Sequence, residues 1–172
     1  KGKSVVGKNN ISKDNPVMET LGELDELNSL CGLVKTQIKD KKIKTILRNV
    51  QESLFIIQAI VAQKLISKNK PPSFQFGNEK TKELEDIINK LGKQIKNPKT
   101  FIIPGSNIES AHLDYLRAIT RKIERRVIKI NKTIRLNPNI FAYLNRLSSL
   151  FFTMARYSAQ KKNIREESPK YR

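Results

Sequence analysis

Apolar residues recur at three- and four-residue spacing along most of this chain, and Pro, Gly and Asn divide the pattern into five blocks. At about 3.6 residues per turn, that spacing lines up one buried helix face. The first block predicts a helix from about Pro16 to about Ile38, and the second from about Lys42 to Ser67. A Pro-Pro loop, KNKPPSFQFGN (68–78), separates them from a third helix, roughly Glu79 to Lys96, which Asn97-Pro98 stops. The fourth covers roughly Asn107 to Lys132, with Ser106 and Glu109 forming an S-x-x-E capping box at its start. The fifth begins at Asn137-Pro138, a good N-cap and N1 pair, and runs to about Lys162. No segment sustains the alternation of a strand, although FII (101–103) reads as a short extended stretch before Pro104-Gly105. There is no internal repeat and no low-complexity linker. The 172 residues therefore predict one all-α domain, with a flexible segment over 1–15, helices over 16–162 and a tail over 163–172. Long helices with short connections pack as an up-and-down bundle, so a five-helix bundle is expected.

Composition narrows the class. Hydrophobic residues at 38% and charged residues at 29% exclude a disordered or membrane chain. The apolar-rich run LFIIQAIVA (54–62) is far too short to span a bilayer and carries a Gln. The start, KGKSVVGKNN, has no apolar signal region, and cytoplasmic residence is expected. The single Cys31, in ELNSLCGLV, excludes an intramolecular disulfide and a Cys-based zinc site, and predicts a buried inert thiol. The single His112 cannot supply a two-histidine metal site. A net charge of +18 makes an acidic partner plausible: nucleic acid, a membrane surface or a polyphosphate. Yet the lysines are scattered, in KDKKIK (39–44), KNK (68–70), KTK (80–82) and the tail. Trp is absent, and no aromatics alternate with basic residues as a base-stacking platform requires.

The informative charges lie in RAITRKIERRV (117–127). On a helical wheel Leu113, Leu116, Thr120, Ile123, Val127 and Ile130 make the apolar stripe. Lys122, Arg126 and Lys129 fall on the far side, where solvation is expected. Arg117 and Glu124 border the stripe, and Arg121 and Arg125 continue one step further round. Charge at a core margin needs partners. Glu124 can brace Arg121 at i−3, presenting a guanidinium fork that suits phosphate oxygens. An ion-pair network without a ligand explains the same spacing. In LGELDELNSL (21–30), Asp25 borders the face of Leu21, Leu24 and Cys31, while Glu19, Glu23 and Glu26 are expected to be exposed. Asn28 falls within that face and should be hydrogen-bonded if buried. Asn145 and Arg146 sit among apolar neighbours in YLNRLSSLFFTMARY (143–157), where an amide could hold a ligand or cap a backbone.

Four segments together resemble the PduO-type ATP:cob(I)alamin adenosyltransferases: SKDNPVMETLGELDELNS (12–29), FIIPGS (101–106), RAITRKIERRV (117–127) and LNRLSSLFFTMARY (144–157). The family patterns are similar to S-K-D-D-P with G-x-x-D-E-L-N-S, F-I-L-P-G-G, R-x-x-x-R-R-x-E-R-R and L-N-R-L-S-D-x-L-F-x-x-A-R-Y. They occur in the same order across essentially the whole chain. The resemblance implies a ferritin-like five-helix bundle assembled as a homotrimer, with active sites between subunits. It implies ATP, accompanied by Mg, and cobalamin as substrates, with the cobalt(I) of a reduced corrinoid attacking the 5′ carbon of ATP to give adenosylcobalamin and triphosphate. An electron-donating reductase is the implied partner; neither nucleic acid, a membrane nor a protein-held metal is implied.

Residue by residue, Arg121, Glu124, Arg125 and Asn145 match ATP-binding positions of the family. Lys13 matches a nucleotide-contacting lysine of the N-terminal segment, and Lys122 stands where the family often has a second Arg. Gly2, with Lys3-Ser4 following, matches the end of a T-G-D-x-G phosphate loop, which makes Gly2 and Ser4 ATP-binding candidates. Asp25 and Arg117 match a salt bridge across the subunit boundary. Phe101 matches the aromatic residue that displaces the lower ligand of the corrin, favouring a four-coordinate cobalt(II) that is more readily reduced. Arg121 and Phe101 are thus the expected catalytic residues. The chain departs from the family at Ser149, in place of the Asp of L-S-D, and at Ser106, in place of the loop's second Gly. Two rival readings compete: a basic helical polyanion-binding module, and a degenerate relative that binds corrinoid without turnover.

Overall fold

A computed structural model describes residues 2–6, 9–67 and 71–171, so the KNK run at 68–70 lies outside the described residues. Five helices account for most of the chain: α1 (Pro16–Gln37), α2 (Lys41–Ile66), α3 (Glu79–Gly92), α4 (Ile108–Ile134) and α5 (Pro138–Lys161). Asn15 and Asn137 cap α1 and α5, each accepting a first-turn N–H and each followed by Pro. Asp40 does the same for α2, accepting from Lys42 and Ile43 N–H. Short polar side chains thus absorb helix-end donors that would otherwise be orphaned.

Three local expectations are corrected. The capping box of α4 is formed by Asn107 and Ser110, one residue beyond the predicted Ser106 and Glu109. Asn107 occupies the cap, which leaves Glu109 free to turn inward, where it is buried. The third helix stops at Gly92 rather than near Lys96, because the chain tightens through Gln94 N–H to Leu91 O and Ile95 N–H to Gly92 O. The N-terminal segment carries a two-stranded antiparallel ladder, β1 (Lys3–Val6) with β2 (Asn9–Ser12), in register from Lys3–Ser12 to Val6–Asn9. Strands of four residues are too short for side-chain alternation to announce them.

Neighbouring helices run in the order α2–α1–α4–α5–α3 around the bundle. The core between them is apolar, with Leu24, Leu27, Leu47, Leu54, Leu116, Ile123, Leu147 and Phe151 fully buried. Cys31 lies in this core, and burial pushes its thiol up to about 12, as expected of an inert group. Asn28 is buried too, but its side-chain Oδ1 finds no partner among the described residues, while its backbone carbonyl accepts from Gln51 Nε2. No helix among the described residues is long and apolar enough to cross a membrane.

Candidate functional site

Helix α4 has two charged flanks, and the structure separates them. On the flank facing α1, Lys122 Nζ lies 3.5 Å from Glu26 and 3.6 Å from Glu23, and Arg126 lies 3.5 Å from Glu23 and 3.9 Å from Glu19. These residues, expected to face only solvent, form an interhelix ion-pair ladder. The wheel placed Lys122 and Arg126 far from the apolar stripe but could not show that α1 lies against that side. Lys122 is thereby drawn away from the arginines with which sequence grouped it. Glu23 is half-buried rather than exposed.

The opposite flank faces α5. Here Asn145 Nδ2 donates to Glu124 Oε1 at 3.0 Å, and Arg146 donates to Asn145 Oδ1 at 3.2 Å. Glu124 therefore pairs with an amide and does not brace Arg121. Arg121 and Arg125 are exposed, and neither side chain makes an ion pair or hydrogen bond with any described residue. Arg117, one turn before Arg121, is half-buried with its Nε shielded and unpartnered. Asp25 is exposed on α1 and no ion pair joins it to Arg117 within the chain. Successive turns of about 5.4 Å thus carry three guanidinium groups along one edge, none matched by a carboxylate of the described chain.

Phe101 sits in the loop between α3 and α4, 78% exposed. It borders two cavities. One, of about 360 Å³, is lined by Pro98, Phe101, Pro104, Arg117, Phe152 and Arg156, among others. The second, of about 500 Å³, lies between the Phe101 loop and Pro169 and Tyr171 of the tail. Arg117 therefore connects the arginine edge of α4 to the aromatic loop. Gly2 and Lys13 meet at the base of the N-terminal hairpin, Lys13 N–H donating to Gly2 O at 2.9 Å, and Ser4 is half-buried on β1. No hydrogen bond or ion pair among the described residues joins that hairpin to Arg121, Glu124 or Arg125.

Sequence reasoning missed a buried ionic centre beneath Phe101. Arg156 of α5 is 1% exposed; it donates to Asp114 Oδ2 at 2.7 Å, its Nε rests against Glu166 of the tail, and its guanidinium stacks 5.0 Å from the Phe152 ring centre. The apolar surroundings of Arg156 in FFTMARY were the available signal; nothing local marked Glu166. A second missed cluster joins the start of α4, the end of α5 and the turn between α1 and α2. Glu109 accepts from Ser158, Lys162 and Lys39 N–H, and Lys161 pairs with Asp40 at 2.7 Å. Burial works to raise the Glu109 carboxyl, but the bonds from Lys162, Ser158 and Lys39 outweigh it and hold it below its ordinary range.

The profile of the cobalamin adenosyltransferase family matches residues 1–158. The corrinoid adenosyltransferase of Citrobacter freundii is 34% identical over 155 residues, covering 89% of this chain and 86% of that protein. The corrinoid adenosyltransferase MMAB of Bos taurus is 34% identical over 162 residues, covering 91% of this chain and 66% of the relative. A solved variant of the PduO-type ATP:corrinoid adenosyltransferase from Lactobacillus reuteri, complexed with cobalamin and ATP, superposes with a TM-score of 0.90 at 28% identity, covering 99% of this chain and 92% of that one. With profile, sequence and fold in agreement over nearly its whole length, the chain belongs to the cobalamin adenosyltransferase family.

Proposed function

We propose that the protein transfers the 5′-deoxyadenosyl group of ATP to the cobalt(I) of a reduced corrinoid. The electron pair of cobalt(I) forms the Co–C5′ bond, the C5′–O bond breaks, and that pair leaves on triphosphate. The observation that carries this reading is the unpaired arginine edge of α4, running from Arg125 and Arg121 to Arg117 and so to the cavity under Phe101.

Each group has a role suited to its surroundings. Negative charge grows on the departing triphosphate, so forks already free of carboxylates stabilise it more in the transition state than before. Arg121 and Arg125 take this role, and magnesium travels with the nucleotide. A carboxylate repels phosphate, so Glu124, with the amide of Asn145, suits the hydroxyl and amino groups of the nucleoside. Lys13, Gly2 and Ser4 of the hairpin are assigned to the nucleotide from the N-terminal side. Lys122, committed to Glu23 and Glu26, is assigned to the α1–α4 seam instead. Phe101 offers an exposed aromatic face to the lower side of the corrin, from which it would exclude the axial ligand. Holding both reactants in line supplies much of the rest of the acceleration.

Arg117, with a shielded Nε lacking a partner, and Asp25, exposed on another helix, suit a salt bridge between copies in a homotrimer. A cytoplasmic location and a separate reductase complete the proposal. The test is an anaerobic mixture of protein, Mg-ATP and cob(I)alamin, followed by loss of cobalt(I) absorbance and appearance of adenosylcobalamin. Binding of both substrates without product formation would overturn the assignment, and light scattering of the pure protein decides the trimer.

A further inference from the structure

We infer that Glu166 and Arg156 are positioning residues for corrinoid binding: through their buried pair, the C-terminal tail clamps the loop that carries Phe101. The inference rests on the corrinoid reading of the Phe101 cavities and names residues that act there without touching the reacting atoms.

After α5 the chain reverses direction at Asn163, a non-glycine residue with a φ of 55°, and returns beside the 96–104 loop. The last turn of α5 makes one contact with that loop and the returning segment makes two. Gln160 exchanges hydrogen bonds with the backbone of Lys96, accepting from its N–H and donating to its carbonyl, both at 2.8 Å. Ile103 N–H donates to Glu167 O at 2.8 Å, and the Thr100 and Ser168 hydroxyls lie 2.7 Å apart. The last two straddle Phe101 in sequence. Such bonds, exposed at the surface, compete with water and hold little by themselves.

The anchor is the ionic centre. Asp114 alone could neutralise Arg156, yet a second carboxylate, Glu166, is brought in from the tail and buried against the same guanidinium. Two acids on one buried cation are not required for charge balance. They are explained if the second one fixes the place of its segment, the use for which buried ionic groups are best attested. Arg156 also lines the smaller Phe101 cavity, and Pro169 and Tyr171, just beyond Glu166, line the larger. Releasing Glu166 therefore frees one wall of the larger cavity and the support of Phe101 together. Asp114 stays on Arg156, and the arginine edge used by ATP is untouched.

The experiment compares the parent with Glu166→Ala and Glu166→Gln in the full chain. Four quantities are measured: the KM for cobalamin, the KM for ATP, the four-coordinate fraction of cob(II)alamin with Mg-ATP by EPR, and the exchange rate of the Ile103 amide without substrates. The expected result is a cobalamin KM raised at least about tenfold, an ATP KM within about twofold, a diminished four-coordinate signal and faster Ile103 exchange. Glu166→Asp should recover part of each. Equal changes in both KM values, or parent-like KM, spectrum and exchange, would overturn the inference. If the parent itself neither forms adenosylcobalamin nor shows the signal, the transferase proposal fails and this role fails with it. Unchanged Ile103 exchange in the variants of an active parent sinks the clamp alone.

Discussion

The two flanks of α4 invite a paired experiment, Arg121→Ala against Arg126→Ala. Arg121 is exposed and makes no bond within the described chain, so its removal should alter folding free energy by no more than about 0.5 kcal/mol. In the reaction it faces growing charge on triphosphate, and losing one such donor costs roughly 10²–10³ in kcat, or about 2.7–4 kcal/mol. Arg126 is the reverse case. It lies 3.5 Å from Glu23 and 3.9 Å from Glu19 with 43% of its side chain exposed. Screened pairs of this kind contribute roughly 0.2–1 kcal/mol, which for a chain of this size lowers Tm by no more than a few degrees. The assays are anaerobic adenosylation at saturating cob(I)alamin and a thermal melt at the same ionic strength. Arg121→Ala should keep its Tm and lose turnover; Arg126→Ala should lose a little Tm and keep turnover. Arg121→Lys should recover only part of the rate, since it restores charge without the planar fork. Turnover by Arg121→Ala within about threefold of the parent, or an equal loss in Arg126→Ala, would refute the division of α4 into a binding flank and a structural one.

Phe101→Ala should lose most of the four-coordinate cobalt(II) signal while keeping more of its rate when supplied with preformed cob(I)alamin; EPR and the absorbance assay check this. Cys31, buried and pushed up to about 12, should not react with a disulfide reagent at pH 8 until denaturant unfolds the chain, as thiol titration will show. Asp40 and Glu109 titrate below their ordinary values of 3.8 and 4.5, burial opposing the shift and the lysine and backbone bonds prevailing. Their contribution is therefore full above those values and is lost as pH falls through the depressed ones. Urea melts between pH 6 and 3 should show the loss, and Glu109→Gln should flatten it.

How much of this was legible in the chain follows from the range of the forces involved. Helix limits depend on local caps and breaks, and Asn15-Pro16 and Asn137-Pro138 marked theirs directly. The inner face of α4 followed from its period, and every residue predicted for the stripe from Leu113 to Ile130 is buried. The charged margins were harder. Periodicity places Lys122 on a wheel but does not say which helix lies beside it, and the answer was α1 with its glutamates. Glu124 took Asn145 rather than Arg121, because α5 places an amide within hydrogen-bond reach of it. Glu166 was invisible for the same reason carried further: its approach to Arg156 is set by the path of an irregular tail, which no periodicity encodes. The hairpin of four-residue strands escaped because pairing between chain segments, not pattern within them, defines it.

The lone thiol, sealed between α1 and its neighbours, has a practical consequence. Cobalt(I) is reached only in the presence of powerful electron donors, conditions that open disulfides and expose any protein that depends on them. This chain has no crosslink of its own to lose, and its one sulfhydryl is closed off from alkylation, mixed-disulfide formation or capture by a soft metal. Its architecture is held by packed hydrocarbon and capped helices, so the harshly reducing milieu that the chemistry demands leaves the scaffold unchanged.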